Sequence, residues 1–335
     1  MINFGIVGFG LHAIKRLMPG FEMSTNCQVT ALSRRTISKA QESAREYGIL
    51  NAFSSAEDLC RSPEVDAVLV TTPNSSHLTD VLTAIAFGKP VLCEKPMGMN
   101  SGECREMVEA AKKAHVLLGV AQVFRFNESV RRIKERIAAG QVGRPVFVRS
   151  EFSFFADEKH PRNWINDAKI AGGGPIADVG VHCIDTLRFI LQDEVIRVNA
   201  SAKSDALSGE VEAVAVLNLE FSRGTLGSVF VSYRTQYRSP LEIVGETATL
   251  HANNALNVEH PVNIELVRDW DVIETETVSN RLAYAHQADS FAAAVEGKSE
   301  FPIPGEEGWK NQQILDAAYR SIKSGKTEAV EKISA

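Results

Sequence analysis

A chain of 335 residues is too long for one ordinary hydrophobic core and suits two domains. A net charge of −6 and the lack of a basic patch argue against nucleic-acid binding, because phosphate contacts need a positive face. No uncharged apolar stretch approaches the roughly 18 to 20 residues of a membrane span. The five cysteines form no CxxC pair, so neither a disulfide framework nor a metal site is indicated. With a first strand that leaves no room for a signal peptide, we expect a cytoplasmic protein.

Short apolar runs alternate with helical patterns in the first third of the chain. Alternating strands and helices imply right-handed crossovers and a parallel sheet covered on both faces. Strands are predicted at 4–7, 28–32, 67–70, 90–93 and 116–121, and helices at 38–47 and 102–114 with another ending before Pro19. The fold class is therefore α/β, with a doubly wound parallel Rossmann sheet over residues 1–121.

Period-two patterns dominate after residue 122. Their short turns favour an open, mostly antiparallel sheet. Strands are predicted at 146–154, 195–204, 213–221, 224–233, 241–244 and 262–267, and helices at 128–139, 283–296 and 306–324. Residues 122–335 are predicted to form an α+β domain for substrate binding and oligomerisation, its last helices free to pack back on the first domain. One uncovered apolar sheet face predicts a homodimer or homotetramer.

A glycine-rich turn follows the first predicted strand and opens the next helix. One glycine allows a tight turn, the next lets backbone amides approach a pyrophosphate, and small Ala13 permits close helix packing. This context favours a dinucleotide site over an ordinary tight turn. The cofactor-binding residues predicted here are Gly8, Phe9, Gly10, Leu11 and His12, the last at the phosphate edge rather than in catalysis.

The end of the second strand bears on cofactor choice. An NAD site usually carries an acid there for the ribose 2′-hydroxyl, whereas an NADP site supplies arginine. This chain has Ser33, Arg34 and Arg35 and no acid in reach, which favours NADP over NAD. The alternative is that the arginines form a solvated loop in an enzyme that uses both cofactors.

Three further motifs stand apart in the chain: TTPNSSH after the predicted strand 67–70, EKP after the predicted strand 90–93, and GGGPIADVGVHCID at 172–185. With the glycine-rich turn, they make the chain resemble the Gfo/Idh/MocA family of sugar and polyol dehydrogenases along nearly its whole length. The resemblance implies that NAD or NADP is also bound by Thr72, Pro73, Asn74, His77, Glu94, Lys95 and Gln122. His77 could instead be a polar residue at a helix start, and Glu94 could orient Lys95 rather than bind the cofactor.

The resemblance assigns catalysis to Lys95, Asp178 and His182. Hydride transfer at an alcohol carbon needs a proton relay at the oxygen, and Lys95 follows a strand at the cofactor edge. Asp178 and His182 are four apart, which puts both on one face of a helix, and the preceding glycines let the backbone approach a ligand. Asp185 could fix the tautomer of His182, although a local structural role is favoured. The Asp/His pair could also ligate a metal, but no third or fourth ligand is evident.

Substrate contacts are predicted by position and by resemblance. Arg125 is expected where the two domains meet, and Trp164 in a similar role, although Ile165 and Asn166 follow it where many relatives carry arginine. The predicted substrate-binding residues are Lys95, Arg125, Trp164, Asp178, His182 and Tyr237, with Arg162 and Asn163 as further candidates.

We therefore predict an NAD(P)-dependent oxidoreductase. It interconverts a secondary alcohol and a ketone, or an aldose and its lactone, on a sugar, inositol or other polyhydroxylated small molecule. The alternatives are a redox-neutral, NAD-dependent glycosidase-type enzyme of the same family and a non-catalytic nicotinamide-sensing protein. Intact Lys95, Asp178 and His182 argue against the sensor.

Overall fold

The computed structural model describes residues 1–157 and 159–333. They form two compact units, one of Met1–Val123 with Tyr284–Trp309 and one of Phe124–Ala283 with Lys310–Ala335. The first division falls two residues after the predicted boundary at 121. The predicted division had a single boundary, whereas in the structure the later segment Tyr284–Trp309 also belongs to the first unit.

The first unit is built on a six-stranded parallel sheet in the order β3-β2-β1-β4-β5-β6. Its strands are β1 Ile2–Val7, β2 Cys27–Ser33, β3 Asn51–Phe53, β4 Ala67–Val70, β5 Val91–Glu94 and β6 Leu118–Ala121. Its helices, in chain order to residue 123, are α1 Met18–Glu22, α2 Ile37–Tyr47, α3 Ala56–Arg61, α4 His77–Ala86 and α5 Ser101–Ala114. The strand order reverses between β1 and β4, and ligands of doubly wound sheets bind outside the carboxyl ends of the strands at such a point.

The predicted Rossmann sheet is confirmed, although β3, α3 and α4 were not among the predicted elements and one helix end was misplaced. The first helix was expected to stop before Pro19, but it continues to Glu22 through a π-helical turn, Ala13–Leu17. Met18 donates its N–H to the carbonyl of Ala13, five residues back, and α1 then starts with Pro19 in its first turn. Pro19 lacks an N–H, and the helix accommodates it directly after the wider π turn, where the regular α-helical hydrogen-bond pattern is already interrupted.

The second unit is built on a ten-stranded sheet that includes β16. The sheet path is β15-β14-β13-β12-β7-β10-β9-β8-β16, with β11 paired to β7. The elements after residue 123 are α6 Glu128–Ala138, β7 Pro145–Phe155, α7 Ala168–Ala171, α8 Val181–Leu191, β8 Val195–Lys203, β9 Val214–Phe221, β10 Leu226–Ser232, β11 Arg234–Arg238, β12 Leu241–Gly245, β13 Thr249–Ala252, β14 Val262–Arg268, β15 Asp271–Val278, α9 Ala283–Val295, α10 Gly305–Ser324 and β16 Glu328–Ala329. Most of α9 and the start of α10 fall in Tyr284–Trp309 and belong to the first unit. Among the described residues, neighbouring strands of this sheet pair antiparallel, except β10 with β7, which are parallel. The prediction of a mostly antiparallel sheet is confirmed.

One face of this sheet is less apolar than the sequence pattern suggested. Leu226 of β10 lies beside Phe147 of β7, and Phe230 lies beside Val216 of β9. A polar row separates these apolar pairs and consists of Arg149, Ser228 and Asn218, which are in register on β7, β10 and β9. Leu226 and Val216 are 56% and 39% exposed, so the outer face is a mixed surface with apolar patches.

Among the described helices, none combines the length and apolar character that crossing a membrane requires. All five cysteines are buried and carry free thiols.

Candidate active site

The glycine-rich turn sits at the carboxyl ends of β1 and β4. Gly8 has φ +86°, and a Cβ there would lie 2.6 Å from Cγ2 and 2.7 Å from the backbone nitrogen of Thr72. The N–H groups of Gly8 and Phe9 both donate to the carbonyl of Ser33, at 3.2 and 3.0 Å. Only glycine fits at position 8, because both the left-handed backbone and the neighbouring strand exclude a side chain.

Gly10 has a different environment from Gly8. A Cβ at Gly10 would meet only the carbonyl oxygen of Gly8, at 3.7 Å, so the space beside this backbone is open at the start of the helix. The Phe9 side chain points away from that space, since it is buried and packs edge-on against Tyr47. An open backbone at a helix N-terminus after a parallel strand fits a dinucleotide pyrophosphate, and Phe9 can take part only through its backbone.

His12 links the glycine-rich turn to the EKP motif. Its Nε2 lies 2.9 Å from Oε1 of Glu94, and Oε2 of Glu94 accepts the Lys95 N–H at 3.2 Å. Burial alone raises the pKa of Glu94, but His12 and Lys95 close by outweigh burial and bring its pKa below the ordinary value. Glu94 is therefore an ionised, buried carboxylate that holds both motifs together.

The end of β2 presents one fixed and one exposed arginine. Arg34 donates from Nη1 to the hydroxyl of Ser43 in α2, at 2.7 Å, and from its backbone N–H to the carbonyl of Phe53. Arg35 is exposed, and Ser33 is buried at the strand end. Nothing acidic follows β2 directly, which fits a cofactor with a 2′-phosphate better than one with a free 2′-hydroxyl.

The loop after β4 is held by hydrogen bonds from its own helix. Thr72 donates its hydroxyl to Asp80 at 2.7 Å. His77 is buried at the start of α4, with Nε2 2.9 Å from the carbonyl of Thr72 and Nδ1 3.0 Å from that of Pro96. Burial lowers the pKa of His77, so the ring is neutral at pH 7 and donates to one of the two carbonyls. His77 therefore contacts both the loop and the EKP motif and donates a hydrogen bond to one of them.

Lys95 and Gln122 follow neighbouring strands. Glu94 of β5 pairs in register with Ala121 of β6, so the residues just after these strands share one edge of the sheet. Lys95 is half-buried and precedes Pro96 through a cis peptide bond, while Gln122 is buried. Thr72, Pro73 and Asn74 follow β4, the other neighbour of β5, at the same edge.

Asp178 lies in the second unit, in a π-helical turn, Ile176–Gly180, that runs into α8. Its Oδ2 accepts the hydroxyl of Tyr233 at 3.2 Å and Nη2 of Arg162 at 3.2 Å, and its Oδ1 lies 3.4 Å from Nη1 of Arg162. Three hydrogen bonds from two residues fix this carboxylate. The helix around Asp178 is of the wider π type, so Asp178 and His182 are not related by the regular α-helical spacing that the sequence predicted.

His182 lies in the first turn of α8 and contacts two aromatic rings. Its imidazole centroid is 4.5 Å from the ring of Phe124 and 6.1 Å from that of Phe152, which stacks on it. Phe152 in turn meets Tyr237 edge-on at 5.7 Å. The structure thus brings His182 and the predicted substrate residue Tyr237 into one cluster, with the Tyr237 hydroxyl donating to the carbonyl of Leu256.

Trp164 packs beside the residues that hold Asp178. It is half-buried against a small core of Ala156, Ile165 and Tyr233, the tyrosine that donates to Asp178. Asn163, beside it in the chain, is exposed. Trp164 and Arg162 therefore come from one short segment that borders Asp178.

The glycines before Asp178 serve protein packing, which corrects their expected use for ligand approach. A Cβ at Gly173 would overlap the hydroxyl of Tyr319, and one at Gly174 would overlap the carbonyl oxygen of Glu212. The Glu212 carboxylate accepts the N–H groups of Gly174 and Ile176, at 3.1 and 2.9 Å, and the Tyr319 hydroxyl at 3.1 Å. Burial raises the pKa of Glu212.

Arg125 and Asp185 form a buried pair. Arg125 donates from Nε and Nη2 to the two carboxylate oxygens of Asp185, at 2.8 and 2.6 Å, and Asn311 donates to the same carboxylate at 2.8 Å. The side chains of Arg125 and Asp185 are 9% and 2% exposed. These contacts give Asp185 a structural role, as favoured from the sequence. They also commit most of the Arg125 guanidinium to protein, so its substrate role stays a prediction.

The residues that sequence reasoning missed are buried partners of the predicted ones. Tyr233 and Glu212 hold the segment around Asp178, Phe152 stacks on His182, and Ser43 holds Arg34. Their positions in the chain carry no motif, and each reaches its partner only through the tertiary fold. Within the described ranges, no group of three or more histidine, cysteine or carboxylate side chains could hold a metal.

A parallel sheet with a dinucleotide turn, joined in one chain to an α+β unit that carries an Asp/His pair, defines the class of two-domain nicotinamide-dependent oxidoreductases. Residues 2–122 match the "Oxidoreductase family, NAD-binding Rossmann fold" and residues 130–251 the "GFO/IDH/MocA C-terminal domain". The chain belongs to the GFO/IDH/MocA family, and it is an NAD(P)-dependent oxidoreductase that acts on CH–OH groups.

Similar proteins span nearly the full chain. A 1,5-anhydro-D-fructose reductase from Ensifer adhaerens is 29% identical over 333 residues, covering 99% of each chain. A D-xylose 1-dehydrogenase (NADP(+)) from Haloferax volcanii is 29% identical over 325 residues, covering 96% of this chain and 98% of its own. The crystal structure of an aldose-aldose oxidoreductase from Caulobacter crescentus, complexed with glycerol, has a TM-score of 0.90 at 24% identity, covering 98% of this chain and 99% of its own. That likeness concerns the fold.

Proposed function

We propose that this protein interconverts a secondary alcohol and a ketone, or an aldose and its lactone, on a sugar, inositol or related polyol. The observation that carries the proposal is the fixed Asp178 carboxylate, four residues before His182, in a chain that also has Lys95 after β5. The names of the relatives support a sugar-type substrate, since one reduces an anhydro-ketose and another oxidises an aldose.

Each of the three polar residues has a chemical task in this proposal. When bound, the nicotinamide supplies or accepts the hydride. In the oxidising direction the O–H proton passes to His182 and the electron pair of the C–H bond leaves as hydride, so that a C=O bond forms. Lys95 donates a hydrogen bond to the developing alkoxide, and Asp178 accepts one from a neighbouring hydroxyl. Exclusion of water by the aromatic rings around His182 strengthens these interactions.

For the cofactor we propose a preference for NADP over NAD. Arg34 is fixed near the end of β2 by Ser43, and no acid stands beside it to repel a 2′-phosphate. The NADP named for the Haloferax relative is in line with this choice. Use of both cofactors is the alternative.

We further propose that the protein works in the cytoplasm as a homodimer or homotetramer. Five buried free thiols suit a reducing compartment. Exposed Leu226 and Val216, with Phe147 and Phe230 beside them, offer a sheet face that a second copy can cover.

A second candidate is redox-neutral turnover, in which a tightly held cofactor is reduced and reoxidised within one cycle. This candidate is prompted by the name of the aldose-aldose oxidoreductase, whose likeness to this chain is one of fold. Cofactor that survives gel filtration, together with turnover that leaves absorbance at 340 nm unchanged, would identify this mode.

The test is a panel of sugars, inositols and keto-sugars, scored by reduced-nicotinamide absorbance, with wild-type, Lys95→Ala and His182→Ala proteins. Both variants should bind dinucleotide within a few-fold of wild type and lose about 10² or more in turnover, as expected when a proton-transfer group is removed. Lys159→Ala is a matched control, an exposed lysine outside the proposed machinery. Wild-type turnover in either variant, on a substrate the panel identifies, removes that residue from the mechanism.

A further inference from the structure

Tyr233 stands out among the buried groups that the proposed mechanism does not use. It lies between β10 and β11, its side chain has no solvent exposure, and its hydroxyl donates to Oδ2 of Asp178 at 3.2 Å. Burying a phenol hydroxyl costs free energy unless the hydroxyl forms a hydrogen bond. Here its partner is a carboxylate of the candidate site.

The phenol is rigidly held. The backbone of Tyr233 donates to the carbonyl of Ala213 at 2.9 Å and accepts the N–H of Ala156 at 3.0 Å, so both sides of the peptide are fixed. The ring meets Phe154 at 5.0 Å and packs with Ile165 in a small core. A donor on so rigid a support fixes the direction of the carboxylate it contacts.

The phenol is also a permanent donor. Burial, and then the negative charge of Asp178, raise the pKa of Tyr233 well above its ordinary value. It therefore keeps its proton throughout the working pH range and cannot serve as a base. A hydrogen bond donated to a carboxylate favours the ionised form of that carboxylate.

Other charged and titratable groups surround Asp178. Arg162 shares the carboxylate with Tyr233, and His160, from the same segment, has a pKa lowered by burial and by Arg162. Glu212 acts on Tyr233 through its charge, and His182 follows on the same helical segment. Tyr233 and Arg162 both donate to the carboxylate, and the Arg162 side chain is 30% exposed while Tyr233 is fully buried.

We propose that Tyr233 is a positioning residue that keeps Asp178 ionised and in one orientation for binding a substrate hydroxyl. The inference rests on the proposed role of Asp178 and adds to it a second residue, on another strand, through which that role is exerted. Arg162 supplies charge from a partly exposed segment, whereas Tyr233 supplies direction from the core.

The experiment compares Tyr233→Phe with Tyr319→Phe on a substrate identified by the panel. Tyr319 is a matched control, because it is also a tyrosine whose hydroxyl donates to a carboxylate of the same unit, that of Glu212, at 3.1 Å. In the reducing direction His182 has to be protonated and therefore limits the rate only at high pH, so the acid limb of the pH profile of kcat/KM is open to Asp178. There Tyr233→Phe should move the acid limb upward by about one to two pH units, because the ionised form of Asp178 loses a donor. KM should rise more than kcat falls. Tyr319→Phe should lower the thermal midpoint without moving that limb.

Two outcomes overturn the inference: an unmoved acid limb in Tyr233→Phe, or equal shifts in both tyrosine variants, which would mean a general structural effect. Asp178→Asn separates this failure from failure of the proposed function. If Asp178→Asn keeps wild-type turnover, the proposed function of Asp178 fails, and the role of Tyr233 with it. If Asp178→Asn is impaired, adding Tyr233→Phe should change kcat/KM little further, whereas additive losses contradict the coupling. Should Tyr233→Phe fold poorly, Phe154→Leu loosens the support of the Tyr233 ring without removing its hydroxyl and should move the acid limb by less in the same direction, whereas an unmoved limb contradicts the inference.

Discussion

Arg34 is the side chain on which cofactor choice should depend. Arg34→Asp should reverse a preference for NADPH over NADH, because a carboxylate repels the 2′-phosphate and can accept from a 2′-hydroxyl. The loss of NADPH affinity should be about tenfold or more, as for a charge-assisted hydrogen bond. Fluorescence titration with both dinucleotides measures it, and Arg45→Asp, an exposed site on α2, controls for net charge. Equal affinities for NADPH and NADH in the unmodified protein contradict the preference.

His12 should matter through the charge of Glu94. Since the folded-state pKa of Glu94 lies below its ordinary value of 4.5, the ionised carboxylate and its hydrogen bond with His12 stabilise the protein above that pH, and this stabilisation is lost as the pH falls through the lowered pKa. His12→Ala should cost about 1 kcal/mol at pH 7, because a buried carboxylate loses a partner. The deficit should narrow below pH 4.5, where Glu94 can be protonated in the variant.

Thermal midpoints from pH 4 to 8 test this, with His12→Gln as the control that keeps one N–H donor and should lose less. A deficit that stays constant across the range shows that His12 acts by packing alone.

At this scale the sequence predicted the polar residues that stand in motifs and missed those that hold them. Lys95 and His182 stand beside glycine or proline at strand and helix ends, where local chemistry is visible in the chain. Tyr233 contacts Asp178 across 55 positions and Asn311 contacts Asp185 across 126. Contacts of that separation leave no pattern in one sequence, so Arg125 could not be recognised as the partner of Asp185.

Among the elements, the helical segment that carries Asp178 depends on two glycines for its packing. Gly174→Ala should lower the thermal midpoint by several degrees, because its Cβ would overlap the backbone of Glu212, which cannot move cheaply. Gly10→Ala is the contrasting variant, since open space surrounds Gly10. It should leave the midpoint within a degree or two while weakening dinucleotide binding.

Differential scanning fluorimetry and a dinucleotide titration separate the two effects. A Gly174→Ala variant as stable as wild type would contradict the predicted overlap between its Cβ and the backbone of Glu212.

Long buried strands were predicted well, and short or exposed ones were not. β1 and β4 are continuous apolar runs, which a parallel sheet covered on both faces requires. β3 has three residues, and β15 is exposed along almost its whole length, so neither shows a hydrophobic period. The π-helical turn Ala13–Leu17 escaped notice because its cause, a proline one turn later, usually ends a helix.

For the whole molecule, self-association should depend on the outer face of the second unit. Light scattering at micromolar concentration should give a multiple of the 36.6 kDa chain mass. Phe230→Asp should raise the monomer fraction, because a charge on an apolar patch cannot be buried without a partner. Trp270→Asp is the control, an aromatic side chain that is 96% exposed at a hairpin tip. A monomer mass for the unmodified protein would refute the assembly.

The first unit is completed by a segment from near the end of the chain, Tyr284–Trp309, and this affects folding during synthesis. Phe291 packs against Phe4, Phe301 fills the place that a side chain at Gly119 would need, and the carbonyl of Ile303 accepts the N–H of Val120. The ribosome adds these three partners only after Phe124–Ala283, the larger part of the second unit. At 5 to 20 residues per second, the nascent sheet waits on the order of ten to forty seconds with β6 uncovered. During that interval the newborn chain presents an unfinished apolar edge to chaperones and proteases, so cellular yield is set by this delay as well as by final stability.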